Sequence, residues 1–257
     1  MLVATDNFIV ARNVHLNIPV AGRKRRRSLK ANPLAALRDF YWQRRQKELR
    51  PLIKGLSFEL REGDRLGVIG QNGAGKTTLL RLLAGILVPS SGTLEVNGVT
   101  QALLSFSMGM QPEATGLENI YLRGFCHGLS AREIRKRIPE IVEFAQLERV
   151  IHDPVRTYSS GMQLRLSFAV ATSVKAEILL LDEWISAGDR FFVQRSRERL
   201  LGHIDACKIL VFASHNLALL GELCTRGIVL KGGKAVFEGD IKDALAFYDS
   251  DAYEAAG

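Results

Sequence analysis

Apolar and polar positions alternate across residues 8–18, where Val10, Arg12, Val14, His15 and Leu16 predict a strand that Pro19 ends. A second strand is predicted from Leu52 to Leu60, as if an interrupted hairpin resumed there. Residues 20–50 are therefore read as an insertion into a β-rich edge, with a short amphipathic helix at about 33–48 closed by Pro51. Beyond this edge the pattern becomes strand, Gly-rich turn, helix: Leu66 to Ile69, then Lys76 to Ala84, then a strand from Thr93 to Val96. Helical spacing dominates about 116–175, with helices expected at Ala131–Ala145 and Met162–Val174. Ile178–Leu181 and Ile209–Ala213 are wholly apolar, as strands covered on both faces are. A helix from Arg190 to His203 separates them. A hairpin follows at Ile228–Leu230 and Ala235–Glu238 around Gly232-Gly233, and a closing helix at Ile241–Tyr248. Strands alternating with helices predict an α/β nucleotide-binding core with a helical block set into it.

Composition narrows the class. The 257 residues are 47% hydrophobic and 24% charged, which excludes a disordered chain, a collagen-like chain and a coiled-coil rod. Cys126, Cys207 and Cys224 are too far apart for a zinc site or a disulfide framework, which fits a reducing compartment. The longest apolar runs have core-strand length, well short of the ~20 residues of a membrane span. Met1 to Val10 has no basic stretch, so no signal peptide is expected and a cytosolic protein is. The net charge of +8 is concentrated: residues 21–50 carry +9 and the remainder −1. A basic insert is not a basic fold, and no nucleic-acid partner is expected. The Arg23–Arg27 run reads as a solvated loop, as a contact with anionic lipid through about residues 23–30, or as a nucleic-acid patch.

Three segments carry chemistry. Gly70-Gln71-Asn72-Gly73-Ala74-Gly75-Lys76-Thr77 matches GxxxxGK[ST] between a predicted strand and a predicted helix. Its glycines let backbone N–H groups wrap a β-phosphate, and the helix adds its positive end. Lys76 would bridge β- and γ-phosphates and Thr77 would hold Mg²⁺. The strand Ile178–Leu181 ends in Asp182 and Glu183, at the sheet edge where α/β folds bind ligands. Asp182 suits Mg²⁺, and Glu183 suits a proton-accepting or water-orienting role. Tyr158-Ser159-Ser160-Gly161-Met162-Gln163 opens a helix, which makes either an anion site or an ordinary N-cap.

In this order, with Ser186-Ala187-Gly188-Asp189 and His215 following, the segments resemble the ATP-binding cassette (ABC) family over about residues 8–248. The subgroup resembled is the Wzt-type ATPases of polysaccharide and O-antigen exporters, through Met110–Ile120, Tyr158–Met162 and Asp182-Glu183 leading to Ala187–Phe192. Where the general family signature is Leu-Ser-Gly-Gly-Gln, Tyr158, Ser160 and Met162 stand as they usually do in that subgroup. The resemblance implies a P-loop NTPase core with an antiparallel β-subdomain and an inserted helical subdomain, forming a single ABC ATPase domain. It implies ATP and Mg²⁺, a phosphate site completed by Thr78, and a head-to-tail dimer in which Ser159, Ser160 and Gly161 reach the partner's nucleotide. Asp189 would act across that interface and His215 would contact the γ-phosphate. Two polytopic permease subunits would anchor the dimer at the cytoplasmic face of the inner membrane, where it would drive export of a lipid-linked glycan. Rival readings are the ATPase of another transporter class and a nucleic-acid-associated ABC ATPase.

Departures from the family pattern set further expectations. Counting back to the Q-loop glutamine reaches Ser105 or Phe106, while Gln111 lies only eight residues before Asn119. The adenine-stacking aromatic would fall near Ile18, where no aromatic stands. Phe40, Tyr41 and Trp42 either substitute for it or anchor the insert to the body. The residues after Tyr248 are too few for a carbohydrate-reading β-sandwich, so glycan selection is expected in the membrane subunits.

Overall fold

The computed structural model describes residues 6–20, 48–104, 110–183 and 190–256. Its strands are β1 (Phe8–Val20), β2 (Glu48–Arg61), β3 (Arg65–Ile69), β4 (Ser91–Asn97), β5 (Thr100–Leu103), β6 (Ile178–Asp182), β7 (Ile209–Ala213), β8 (Arg226–Lys231) and β9 (Lys234–Asp240). Its helices are α1 (Lys76–Leu83), α2 (Gly116–Cys126), α3 (Ala131–Ala145), α4 (Ser160–Ala171), α5 (Arg190–Ala206), α6 (Leu217–Leu223), α7 (Ile241–Tyr248) and α8 (Asp251–Ala255).

The strands form two sheets. A three-stranded antiparallel sheet has the order β2-β1-β4. A six-stranded sheet has the order β5-β6-β7-β3-β8-β9, parallel except for the β8–β9 hairpin at its edge. The apolar run of β6 follows from this arrangement. Leu179 and Leu181 face a core shared with the helices, while Ile178 and Leu180 face a core shared with α1 and the smaller sheet. With both faces covered, no polar position remains to mark a period of two. Leu79, Leu80, Leu82 and Leu83 of α1 join the second core with Ile53, Leu56 and Leu60 of β2. The helix that follows the Gly-rich turn is thereby held between the two sheets.

The helical block is built from well-capped pieces. Thr115 and Glu118 form a capping box on α2, as Ser130 and Glu133 do on α3. Phe144 of α3, Phe168 of α4 and Phe192 of α5 meet with ring centroids 5.6 to 6.0 Å apart, joining the block to the sheet's own helices. No helix among the described residues is long and apolar enough to cross a membrane.

Several elements differ from the sequence reading. Pro19 does not end β1, which runs to Val20 and pairs through Pro19↔Leu49. Pro51 lies inside β2, opposite Asn17. This is tolerated because β2 is an edge strand with no further ladder to lose. β1 and β2 do form one hairpin, with Val20 opposite Glu48, so residues 48–50 belong to the strand. Strand β5 and helices α6 and α8 escaped the pattern reading, and α4 starts at Ser160 rather than Met162. The region of Phe40-Tyr41-Trp42 and Arg23–Arg27 lies outside the described residues.

Candidate functional site

Strand β3 delivers the chain into the Gly-rich turn at Gly70, whose φ is 153°. A Cβ there would stand 2.5 Å from the Leu230 carbonyl oxygen of β8, so the turn can be this close only without a side chain. The turn is pinned from outside: Ala74 N donates to Gln71 O (3.1 Å), Gly233 N donates to Ala74 O (3.0 Å), and Lys54 N of β2 donates to Gly233 O (2.8 Å). Gly75, at φ 115°, stands before α1 with no side chain capping the helix. The first N–H groups of α1 therefore remain available to an anion.

Lys76 is buried, and its Nζ donates to Gly70 O (2.6 Å) and Gln71 O (3.4 Å). Burial pushes the Lys76 pKa below the ordinary lysine range, and the nearby Glu183 and Asp182 pull it partly back. Burial raises the carboxyl of Asp182, while the Thr77 hydroxyl donates to it and favours the ionised form. Glu183 follows β6 with φ 67°, a conformation rare outside glycine that costs about 1–3 kcal/mol. Its N–H donates to Ala213 O of β7 (2.8 Å). Its Oε2 accepts from Ser214 Oγ (3.2 Å) and from His215 N (3.4 Å). Its Oε1 lies 3.3 Å from His215 Nε2. Strained backbone and converging donors fix this carboxylate at the joint between β6 and β7.

A cleft of about 540 Å³ gathers these groups. Gln71, Asn72, Gly73, Gly75, Lys76, Thr77 and Thr78 line it from the turn and α1, and Asp182, Glu183 and His215 from β6 and β7. The cradle of glycine backbone, the buried ammonium and the α1 terminus fit a polyphosphate. Among the described residues no group of three or more His, Cys, Asp or Glu side chains could hold a metal alone. The pair Thr77 and Asp182 fits Mg²⁺ of the kind that binds through one carboxylate and substrate phosphates.

Ser159, Ser160 and Gly161 do not line this cleft. Ser159 is the N-cap of α4, its Oγ accepting from Met162 N (3.2 Å), and both serines are exposed. Tyr158 points inward, its hydroxyl donating to Val150 O (2.6 Å). Asp189, Ser105 and Phe106 lie outside the described residues. Gln111 is exposed at the turn before α2, held by its backbone: its N–H donates to Asn119 Oδ1 (2.7 Å) and its carbonyl accepts from Asn119 Nδ2 (3.0 Å). Sequence reasoning missed Arg50, Leu52 and Leu104, which also line the cleft. In the sequence Arg50 falls at the end of the basic insert, and only the β1–β2 pairing, Ile18 opposite Arg50, reveals it as strand.

Comparison with known proteins agrees with this geometry. The O-antigen export system ATP-binding protein RfbE of Yersinia enterocolitica is 45% identical over 181 residues, 70% of this chain and 76% of that protein. The teichoic acids export ATP-binding protein TagH of Bacillus anthracis is 36% identical over 217 residues, 84% of this chain but 39% of that protein. The chain thus spans about two fifths of the length of some curated relatives that it matches. A dimeric ATP-binding cassette solved in a post-hydrolysis state with ADP and Pi superposes over 91% of this chain and 98% of its own, with a TM-score of 0.65 at 21% identity. That likeness establishes the P-loop ABC ATPase fold expected from the sequence. The profile of the ABC transporter family matches residues 53–186, more than half the chain, and with this match the protein belongs to the ABC transporter family.

Proposed function

We infer that the protein is the ATP-hydrolysing subunit of an exporter for a lipid-linked polysaccharide of the O-antigen or teichoic-acid kind. The observation that carries the activity is the meeting of Lys76, Thr77, Asp182, Glu183 and His215 in one cleft. The relatives' names carry the substrate class, since one is a teichoic acids export ATP-binding protein and the other an O-antigen export system ATP-binding protein. Lys76 and the glycine backbone would hold the β- and γ-phosphates of ATP by charge and N–H donation. Mg²⁺, when bound at Thr77 and Asp182, would supply further neutralisation of phosphate charge. Glu183, held by Ser214 and the His215 N–H, orients the attacking water and accepts its proton. The water oxygen bonds to the γ-phosphorus, the bond to the β-phosphate oxygen breaks, and ADP leaves with that electron pair. His215 Nε2 lies 3.3 Å from the carboxylate, where it would also reach that water.

The exposed Ser159 and Ser160, with Gly161 half-buried beside them, support a second copy arranged head to tail, so that each nucleotide is closed by the partner's α4 terminus. Asp189 would work at the same interface. Two permease subunits would hold the pair peripherally at the cytoplasmic face of the membrane. The test pairs chemistry with cell biology. The purified chain should hydrolyse ATP with Mg²⁺, and removal of its gene should leave the lipid-linked glycan on the inner leaflet. A chain that binds no nucleotide sinks the activity, and unchanged surface glycan sinks the substrate.

A further inference from the structure

The cleft has two ends with different chemistry. Asp182, Glu183, His215 and Leu104 occupy one, beside the joint of β6 and β7. At the other, β2 leans over the glycine turn and presents Arg50 and Leu52. Leu16 pairs with Ile53 and Asn17 with Pro51, so Leu52 is an extra residue on β2, a β-bulge beside the site. Its carbonyl oxygen would stand 2.3 Å from a Cβ at Gly233 and 3.4 Å from one at Gly75. The bulge is therefore pressed onto the turn, and the chain of bonds from Ala74 through Gly233 to Lys54 fixes β2 relative to the phosphate cradle. Arg50 is exposed, and among the described residues no carboxylate pairs with it. No Phe, Tyr or Trp of the described residues lines the cleft, and its one imidazole, His215, stands at the carboxylate end.

We propose that Arg50 is the base-binding residue of this site, its guanidinium stacking on the nucleobase while Leu52 packs against the nucleoside. This rests on the ATP reading above and names how the nucleoside is held. With the water-orienting groups at one end, the γ-phosphate belongs there, and the nucleoside then lies toward β2. A guanidinium is planar and weakly hydrated and stacks on aromatic faces, whereas an ammonium does not. Stacking is tolerant of the base, because every base presents a π-face. The site therefore accepts GTP nearly as well as ATP.

The test is calorimetric titration of the nucleotide-free protein, wild type and variants, with ATP, GTP and inorganic tripolyphosphate. Arg50→Ala should weaken ATP and GTP about tenfold, the loss of one stacked base, and leave tripolyphosphate within about twofold. Arg50→Lys keeps the charge and should not restore ATP affinity, whereas Arg50→Tyr should. Equal losses for ATP and tripolyphosphate would make Arg50 a phosphate ligand and overturn the proposal. So would full ATP affinity in Arg50→Ala. A wild-type chain that binds tripolyphosphate but gains nothing from the nucleoside overturns it as well, while one that binds none of the three overturns the ATP reading itself.

Discussion

Lys76 and Asp182 are both held against their own ionisation by burial, one shifted down and the other up. A group whose charged form the fold disfavours costs stability wherever it is charged. For Asp182 the folded pKa stands above the ordinary value of 3.8, so its cost is fully present above the folded pKa and gone below 3.8. Asp182→Asn keeps an acceptor for the Thr77 hydroxyl and removes the charge. It should raise the melting temperature of the nucleotide-free protein at neutral pH and abolish Mg²⁺-dependent hydrolysis. The stability gain should shrink as pH falls through the raised pKa and vanish below 3.8. A pH-independent gain would show packing rather than charge to be the cause. Lys76→Ala should cost on the order of a hundredfold or more in turnover if, as proposed, this buried cation meets the phosphates. Glu183→Gln differs in kind. Its amide oxygen still accepts from Ser214 and the His215 N–H but cannot take a proton from water. ATP affinity should persist while turnover stops, read by titration and by phosphate release. Wild-type turnover in Glu183→Gln would remove the carboxylate from the proton transfer.

At the scale of elements, the turn before α2 hangs on one side chain. Asn119 is fully buried; its Oδ1 accepts from Gln111 N, and its Nδ2 donates to Gln111, Ala114 and Thr115 carbonyls. Asn119→Ala should destabilise the protein by about 2 kcal/mol, because the Gln111 N–H loses its partner and the part-buried carbonyls of Gln111, Ala114 and Thr115 keep only their backbone donors. Asn119→Asp should cost more by facing a carboxylate to carbonyl oxygens. Urea unfolding measures both, and a loss under ~0.5 kcal/mol for Asn119→Ala would mean that water replaces the amide. In the sequence, Met110–Ile120 is legible as a family mark, but the reason for Asn119 is not, since its partners lie in an irregular turn. The legible elements are those whose pattern is set by their own burial. β7 is apolar throughout because both sheet faces are covered, and α3 carries its periodicity between a capping box and Gln146. β5 is four residues long with polar Thr100 and Gln101, and α6 is seven, so neither shows a period. Pro51 reads as a breaker until β2 is known to be an edge strand, a fact of sheet order alone. Arg50 was hidden for the same reason.

Across the whole molecule, the groups that would treat a nucleotide are divided. The cleft holds the cradle, the buried lysine and the carboxylates, whereas the exposed Ser159 and Ser160 and the half-buried Gly161 stand at the start of α4, outside the cleft lining. The motifs themselves are plain in the sequence, but this separation depends on how the helical block sits on the sheet, which no local pattern encodes. If a second copy supplies the missing side, each site draws on two chains, and complementary defects should compensate. Ser160→Arg places a long cation where the partner's phosphate would lie; Lys76→Ala empties the chain's own cradle of its charge. Each variant alone should fail to close around ATP. Mixed, they form a heterodimer in which one site carries both defects and the other carries neither: the intact Lys76 comes from the Ser160→Arg chain and the intact serines from the Lys76→Ala chain. ATP-dependent dimerisation, followed by sizing with radiolabelled nucleotide, should return in the mixture and in neither parent. Glu183→Gln added to both chains holds the closed form for measurement. Wild-type turnover by Ser160→Arg alone would show that the α4 terminus does not meet nucleotide. Recovery no greater than the sum of the parents would show that each chain builds its site unaided.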